Sequence, residues 1–279
     1  YVSQVAYDTL DPHVVIDSGR MAVRLNLYDG LMRWVDNPAR LEPWLAERFT
    51  ISETGLTYTF ELRKGARFHD GSPVKASDVV YSMERILALK QGPYGLFAGL
   101  VAPGSTRIAG EDKVEFNLIR PSAVFLAILP EVHIVNTALV KSHEINNDWG
   151  EGWLARNDAG SGGYKLQSFD PAKSFVIERF GEHWNTKWGA KPIGEIEFQT
   201  EADLETLVAG LIDGRFHATD GYLPPDYVKR LREAPTVTVH EAETMRLLHA
   251  AIHNGREPMN DPEFRKVLSY AFDYNGFNK

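Results

Sequence analysis

Cysteine is absent from all 279 residues, and no stretch of the chain approaches the roughly 18 consecutive apolar residues of a membrane-spanning helix. The first absence excludes disulfides, thiolate nucleophiles and cysteine-based zinc sites, but it leaves the cellular compartment open. The chain also begins at Tyr1 without a methionine, a basic segment or an apolar segment. We therefore expect a processed or trimmed start.

Basic residues are in the minority, because 30 Lys and Arg stand against 38 Asp and Glu and give a formal net charge of -8. Nucleic acids and anionic membrane surfaces attract basic patches, so this balance argues against both as main partners. The chain has 43% hydrophobic and 24% charged residues, the composition of an ordinary globular protein. Its length is sufficient for two lobes, each with a hydrophobic core.

Catalytic motifs are also missing from the sequence, which has neither a serine elbow nor a metal-protease helix. Residues 160–163 resemble a phosphate-binding loop only superficially, because the Gly-Lys-Ser/Thr ending is lacking. Ser142, His143 and Glu144 combine suggestive residue types, but adjacent side chains point in different directions. We therefore expect no catalytic residues and no enzymatic activity.

Metal binding is not expected either. His249 and His253 are the best candidates, since a spacing of four places both on one face of a strand. Four strand residues span about 13 Å, which is too far for two imidazoles to share one ion. His69 is expected to be a turn residue. The sequence thus predicts no metal and no cofactor.

In the stretch from residue 58 to residue 87, the spacing of the apolar residues changes from strand-like alternation to helical spacing. Residues 58–62 alternate between apolar and polar side chains and predict a half-buried strand. The segments 46–51 and 57–62 are expected to form a hairpin. Asp70 and Gly71 predict a tight turn, after which Ser77 is expected to cap a helix over 78–89. This pattern predicts a strand, a turn and an amphipathic helix.

The other elements are predicted in the same way. Met21, Leu25 and Tyr28 share one face of a predicted helix. Gly30 is expected to end this helix by adopting the left-handed conformation. Residues 90–105 are expected to be a loop with exposed aromatics Tyr94 and Phe97, or a loop whose aromatics pack on its own lobe. Further strands are predicted at 31–35, 46–51, 114–118, 164–169, 175–179, 195–199, 216–219, 236–240 and 247–252, and further helices at 123–129, 204–212, 225–233 and 262–272.

Several motifs are spread along the whole chain. The longest segment runs from Leu62-Arg63-Lys64-Gly65 through Phe68-His69-Asp70-Gly71 to Ala76-Ser77-Asp78-Val79-Val80-Tyr81-Ser82. The supporting motifs are Leu10-Asp11-Pro12-His13, Tyr28-Asp29-Gly30-Leu31, Leu45-Ala46-Glu47, Gly162-Gly163-Tyr164 and Pro262-Glu263-Phe264-Arg265-Lys266-Val267. Together these motifs resemble the ABC-transporter extracellular solute-binding proteins of family 5, the peptide/nickel class, and the longest segment carries most of the resemblance.

The resemblance implies an α/β fold of mixed α+β character. Lobe I, of the periplasmic-binding-protein type II, would comprise residues 1–45 plus 164–279, and an inserted α+β lobe II would comprise residues 46–163. Members of this family continue for about as many residues again and form a third lobe, which is absent here. We therefore expect the chain to be the N-terminal portion of a larger receptor.

The resemblance also implies a function without chemistry: the protein would capture a peptide or similar small solute in an interlobe cleft and deliver it to ABC permease subunits. It would be periplasmic or otherwise extracytoplasmic, with a lipoprotein anchor as one form, and would meet the membrane only through the permease. Alternatives are a receptor for nickel chelates or oligosaccharides and an extracytoplasmic hydrolase that uses a carboxylate pair.

By resemblance, three segments of lobe I should line one wall of the cleft. The expected ligand-binding residues are Tyr28, Asp29, Gly30, Leu31, Thr219, Asp220, Gly221, Met245 and Arg246. Arg246 has two interpretations, as a partner of a ligand carboxylate or as a solvated or structurally paired arginine. The residues alone also allow Gly30 to be a helix cap and Tyr28 to be a core aromatic.

Overall fold

The computed structural model describes residues 1–16, 21–171, 173–242 and 251–277. The chain divides into two compact units, Tyr1–Thr238 and Val239–Lys279. The strands are β1 (Val2–Ser3), β2 (Met32–Val35), β3 (Arg40–Pro43), β4 (Ala46–Ile51), β5 (Thr57–Leu62), β6 (Val101–Gly110), β7 (Lys113–Leu118), β8 (Tyr164–Asp170), β9 (Ser174–Arg179) and β10 (Glu195–Thr200).

The helices of the first unit are α1 (Met21–Leu27), α2 (Ala76–Leu89), α3 (Tyr94–Phe97), α4 (Phe125–Ile128), α5 (Thr137–Ser142), α6 (Glu151–Leu154), α7 (Leu204–Ile212) and α8 (Pro225–Glu233). A 3₁₀ turn (Leu129–Glu131) follows α4, so the helix predicted at 123–129 is shorter than expected. The described residues of the second unit contain α9 (Pro262–Ala271) and α10 (Tyr274–Phe277).

One antiparallel sheet has the strand order β4-β5-β7-β6 and contains the predicted hairpin of β4 and β5. Tyr58, Phe60 and Leu62 of β5 are buried while the residues between them are partly exposed, which confirms the predicted alternation. The phenyl rings of Phe60 and Phe116 meet edge to face on neighbouring strands. Helix α2 covers this face of the sheet and supplies Val79, Met83 and Ile86 to the core.

The N-terminus of α2 differs from the prediction that Ser77 caps it. The helix already includes Ala76, and the Asp78 carboxylate accepts a hydrogen bond from the Lys75 backbone N–H at 2.8 Å. A carboxylate at the third helical position can accept from the backbone N–H of the N-cap residue, so Asp78 forms this half of a capping box, while Ser77 is the second residue of the helix and not its cap. The other oxygen of Asp78 accepts from the Thr137 backbone N–H at 3.2 Å, which attaches α5 to α2.

Of the two interpretations of the segment 90–105, the one with exposed aromatics is wrong, and the one in which the aromatics pack inward agrees with the structure. Phe97 of α3 is fully buried, Tyr94 packs against the same core, and β6 begins at Val101. The sequence did not predict this strand, because Pro103 and Gly104 are residue types typical of loops. Here the pairing of β6 with β7 shifts register between residues 101 and 106, where a bulge accommodates them.

The second four-stranded sheet has the order β1-β10-β9-β8. Strand β1 pairs in parallel with β10, and the other neighbours are antiparallel. Phe175 of β9 and Phe198 of β10 stack at a centroid distance of 4.4 Å and anchor a second core with Tyr7. The strand predicted at 216–219 is reduced to a single parallel bridge between Thr219 and Val2.

The later helices agree with their predicted ranges to within one residue at α7, α8 and α9, and the Asp261 carboxylate caps α9 at the Glu263 N–H. The strand predicted at 236–240 is wrong. There the Val237 N–H donates to the Ala234 carbonyl in a turn, so this backbone does not enter a sheet ladder. The strand predicted at 247–252 falls largely on residues 243–250, outside the described residues.

A buried ion pair joins the N-terminal segment to α2. Both terminal nitrogens of Arg85 donate to the Asp11 carboxylate, at 2.8 and 2.5 Å, and both side chains are completely inaccessible to solvent. Arg85 also donates to the His13 Nδ1 at 3.0 Å and to the Trp149 carbonyl. Burial and the neighbouring guanidinium hold the pKa of His13 well below its usual range. His13 is therefore neutral, and its Nε2–H donates to the His133 carbonyl.

The two hydrophobic cores do not follow the predicted lobe boundaries strictly. Leu31 and Leu45, from the predicted lobe I, belong to the core around β5. Tyr81 and Leu154, from the predicted lobe II, belong to the core around β9. The division into residues 1–45 plus 164–279 and residues 46–163 stays a prediction.

Candidate functional site

A cavity of about 160 Å³ lies in the first unit, beside the corner where α1 ends and β2 begins. Helix α1 forms one side, β2 and Trp44 form another, and the segment 130–133 closes the third. The residues that line it are Met21, Arg24, Leu25, Tyr28, Asp29, Gly30, Met32, Arg33, Trp34, Trp44, Pro130, Glu131 and His133.

Helix α1 turns its predicted apolar face to this cavity. The sequence pattern placed Met21, Leu25 and Tyr28 on one face, and only Tyr28 is buried. Met21 and Leu25 are 39% and 48% exposed and line the cavity, while Val23 and Leu27 occupy the core. The apolar face predicted for this helix thus lines the cavity for the most part, and the core contacts come from another face.

Gly30 has a different role from the predicted left-handed helix end, because its φ is not positive. It forms an antiparallel bridge with His133, which brings segment 130–133 to the cavity. A Cβ at this position would approach the carbonyl oxygens of Met32, Pro130 and Val132 at 3.2 to 3.3 Å. Close approach of the backbone, and not a turn conformation, thus explains the glycine.

Asp29 is buried and joins three parts of the chain. The Trp44 indole N–H donates to its Oδ1 at 2.7 Å, while the Ser161 hydroxyl and the His183 Nε2 contact its Oδ2 at 3.1 and 3.2 Å. Such a carboxylate compensates its desolvation through its donors. Asp29 therefore fixes Trp44, and with it one side of the cavity.

Opposite charges are paired on the third side of the cavity. The Arg24 guanidinium donates to the Glu131 carboxylate at 2.6 Å, and Arg24 is buried while Glu131 is partly exposed. Burial first, and then the positive charge of Arg24, lower the pKa of His133 to about 3. His133 is therefore a neutral polar group in this wall at physiological pH.

An aromatic and cationic stack forms the side of the cavity at β2. The Arg33 guanidinium lies 4.5 Å above the Trp44 ring, which meets the Trp184 ring edge to face at 4.8 Å. Beyond it, the Arg63 guanidinium lies 4.3 Å from the Trp184 ring centre. Cation–π contacts of this kind hold a guanidinium in a fixed orientation.

The structure brings together only part of the predicted ligand-binding set. Tyr28, Asp29 and Gly30 line the cavity, and Leu31 is fully buried in the core. Thr219, Asp220 and Gly221 do not line it and lie instead by β1, where the Asp220 carboxylate accepts from the Ser3 hydroxyl at 2.7 Å. Met245 and Arg246 lie outside the described residues.

Only Tyr28, Asp29 and Gly30 of the thirteen cavity residues were predicted to bind ligand, and Trp44, Glu131 and His133 are among those that were not. Trp44 reaches the site through Asp29, and the other two arrive through the Gly30–His133 bridge. Both contacts join segments that are remote in sequence. Local periodicity carries no signal for such pairings.

His69 is buried, and both of its ring nitrogens face acceptors. The Nδ1 lies 2.5 Å from the Asp158 carboxylate and the Nε2 lies 2.9 Å from the Gly162 carbonyl. Burial alone would lower the pKa of His69, but the Asp158 charge and these hydrogen bonds outweigh it and raise the pKa. His69 therefore lies in a turn, as predicted, and its ring joins the 68–71 turn to the segment 158–162.

Other candidate chemistry is accounted for by structural contacts. The Ser142 hydroxyl donates to the Leu139 carbonyl, and the His143 ring stacks on Trp153 at 4.3 Å. His253 is exposed, and His249 lies outside the described residues. Across the ranges that the structure describes, no three His, Asp or Glu side chains are arranged to hold a metal ion. No helix in those ranges is long and apolar enough to cross a membrane.

Comparison with protein families gives a match over most of the chain. The model of bacterial extracellular solute-binding proteins, family 5 Middle, matches residues 40–279. The probable D,D-dipeptide-binding periplasmic protein DdpA of Escherichia coli (strain K12) is 30% identical over 277 residues, which cover 96% of this chain and 51% of DdpA. The dipeptide-binding protein of the same organism is 26% identical over 273 residues, covering 91% of this chain and 50% of that protein.

Solved structures show the same architecture. A dipeptide-binding protein from a Pseudoalteromonas species in complex with Met-Leu superposes with a TM-score of 0.82 at 19% identity, covering 98% of this chain and 57% of that one. MoaA of A. tumefaciens R10, in complex with mannopinic acid, superposes with a TM-score of 0.83 at 21% identity, covering 99% of this chain and 55% of MoaA. These likenesses establish the fold and confirm the predicted α/β class. The chain spans about half the length of the curated relatives it matches.

Proposed function

Because the chain belongs to the bacterial extracellular solute-binding proteins of family 5, we propose that the complete protein is the substrate-binding component of an ABC importer. It captures a peptide or a similar small solute outside the cytoplasm and delivers it to the membrane permease. The observation that carries this proposal is the family match over residues 40–279. No catalytic step is part of the proposal.

The peptide class is supported by the names of the relatives. The similar proteins include a probable D,D-dipeptide-binding protein, a dipeptide-binding protein and glutathione-binding proteins. All three names describe short peptides with free carboxylates. We infer that the ligand of this protein belongs to the same chemical class, and that the protein resides in the periplasm or an equivalent compartment, with or without a lipid anchor.

The binding site is proposed to combine this chain with the remainder of the complete protein. Tyr28, Asp29 and Gly30 contribute the wall at the cavity, and ligand contacts of the segments 219–221 and 245–246 stay a prediction from the family resemblance. Closure of the lobes about a hinge then buries the ligand, and the permease recognises the closed form. Asp29 acts in this wall by holding Trp44, since the donors on its carboxylate are protein groups.

Calorimetry with D-Ala-D-Ala, Met-Leu and glutathione tests the proposal on the complete protein and on the 279-residue chain side by side. We expect micromolar binding of at least one peptide by the complete protein. Losing half of a binding free energy of about 8 kcal/mol should leave this chain with a dissociation constant on the order of millimolar. Micromolar binding by this chain alone would place the whole site within it. Turnover of a peptide by the complete protein would favour the hydrolase alternative.

A further inference from the structure

Arg33 differs from the other charged residues of the cavity. Its guanidinium stacks on the Trp44 ring at 4.5 Å, and the side chain is half-buried. Within the described residues it makes neither a hydrogen bond nor an ion pair. A guanidinium carries five N–H donors in a planar fork, and stacking on an aromatic ring leaves the edge of that fork available.

The acids around Arg33 are already engaged. Glu42 lies directly across the β2–β3 ladder, but it pairs with Arg40. Glu131 pairs with Arg24, and Asp29 accepts from Trp44, Ser161 and His183. Among the described residues that line this cavity, Arg33 is therefore the charged residue whose side-chain donors no other side chain engages.

Apolar surface lies next to this charge. Met21, Leu25 and Trp34 all line the cavity, and Trp34 is 46% exposed. Exposed apolar side chains gathered around a concave site with a fixed polar group are typical of small-molecule binding. The volume of about 160 Å³ is well below the roughly 300 Å³ at which whole-ligand pockets begin. The cavity therefore suits one side chain or one terminal group of a ligand.

We propose that Arg33 is a carboxylate-binding residue, and that the adjacent cavity receives an aliphatic or aromatic group of the same anionic solute. This inference rests on the proposed function and narrows it, because it selects solutes in which a carboxylate lies within a few bonds of an apolar group. The free C-terminal residue of an apolar peptide satisfies both requirements. The recognition is bidentate, through two parallel N–H donors of the Arg33 fork.

A direct test uses 4-methylpentanoate, which joins a carboxylate to a leucine-like group, and its uncharged analogue 4-methylpentanamide. Each compound is titrated into the 279-residue chain while the indole N–H resonances are followed by NMR. We expect the acid to shift the Trp44 and Trp34 resonances at millimolar concentration and to bind about tenfold more tightly than the amide, since a charged bidentate pair replaces a neutral contact.

Three variants separate recognition from general charge. Arg33→Met keeps the aliphatic part of the side chain and should lose the preference for the acid. Arg33→Lys keeps the positive charge and should retain part of the preference for the acid. Arg48→Met removes the same charge from an exposed pair with Glu61 on β4 and should change nothing. The thermal midpoint of each variant shows whether it is folded, and Arg33→Lys provides the comparison if Arg33→Met is not.

Equal affinity for acid and amide, or an acid affinity unchanged in both Arg33 variants, would overturn the inference. Failure of the proposed function has a different signature. If the complete protein binds Met-Leu and the Arg33 variants bind it equally well, the receptor function stands and the role of Arg33 is refuted. If the complete protein binds no peptide but the acid still requires Arg33, the carboxylate site stands and the peptide proposal fails.

Discussion

The ion pair of Arg85 and Asp11 provides the sharpest test of how this chain is held together. Replacing Asp11 with Asn keeps the size of the side chain but removes the negative charge that faces two guanidinium nitrogens, at 2.8 and 2.5 Å. Neither side chain is accessible to solvent. The variant therefore leaves the Arg85 cation buried without a counter-charge, and its remaining acceptors are all neutral: the carbonyl oxygen of the introduced amide, the His13 Nδ1 and the Trp149 carbonyl.

The expected cost follows from this burial. Removing one partner of a buried ion pair destabilises a protein by about 3–5 kcal/mol, because the remaining charge cannot recover its hydration. A typical domain has a free energy of unfolding of about 5–15 kcal/mol, so the variant should lose at least about a fifth of it. Arg85→Met should cost a similar amount. The double variant should cost much less than the sum, since it leaves no unpaired charge.

Urea unfolding followed by tryptophan fluorescence measures this loss. All six tryptophans lie in the first unit, so the signal reports the unit that contains the pair. The matched control is Glu205→Gln, which breaks an exposed pair with Arg230 and should leave the urea midpoint unchanged. A loss below about 1 kcal/mol for Asp11→Asn would refute the reasoning, because it would mean that the buried charge is solvated or otherwise paired.

Three further outcomes are expected in thermal unfolding. The raised pKa of His69 means that its pairing with Asp158 stabilises the fold below about pH 6.5, and that this contribution is lost as pH rises through the folded-state pKa. The thermal midpoints of wild type and His69→Gln should therefore converge with rising pH. A difference between the midpoints that widens with rising pH would contradict the assignment. Gly160→Ala should lower the midpoint strongly because its Cβ would overlap the Leu27 carbonyl, whereas Gly181→Ala, which meets no atom, should not; equal midpoints would count against the close approach. Phe97→Ala should cost about 3–5 kcal/mol, as for a fully buried phenylalanine, and a cost below about 1 kcal/mol would restore the interpretation of an exposed loop.

The parts of the fold that could be predicted are those in which the signal is local. The hairpin of β4 and β5 was predicted with its observed bounds, because the alternation of apolar and polar side chains and the short turn both depend only on consecutive residues. Helix α8 was predicted equally well from its proline start and apolar spacing. The segment 236–240 had a similar pattern, but within the described residues it pairs with no strand, and such pairing is decided by the tertiary structure.

The candidate site was predicted less completely, because its contacts span the chain. The partners of Asp29 lie 15, 132 and 154 residues away, at Trp44, Ser161 and His183. The family resemblance pointed to Asp29 itself, but no pattern in the sequence identifies those partners. Helix α1 shows the complementary difficulty: periodicity finds an apolar face, but it cannot tell a face that enters a core from one that faces a ligand cavity.

The pairing of β1 with β10 has a consequence for the order in which the molecule can form. The Tyr1 amino group donates to the Glu197 carbonyl, across a separation of 196 residues. A ribosome adds about 5–20 residues each second, so the first strand waits roughly 10 to 40 s for its neighbour to be made. The sheet of β4 to β7 meets no such delay, because all of its strands emerge between residues 46 and 118. During synthesis the sheet of β4 to β7 can therefore be complete while the residues of β1 still have no strand to pair with.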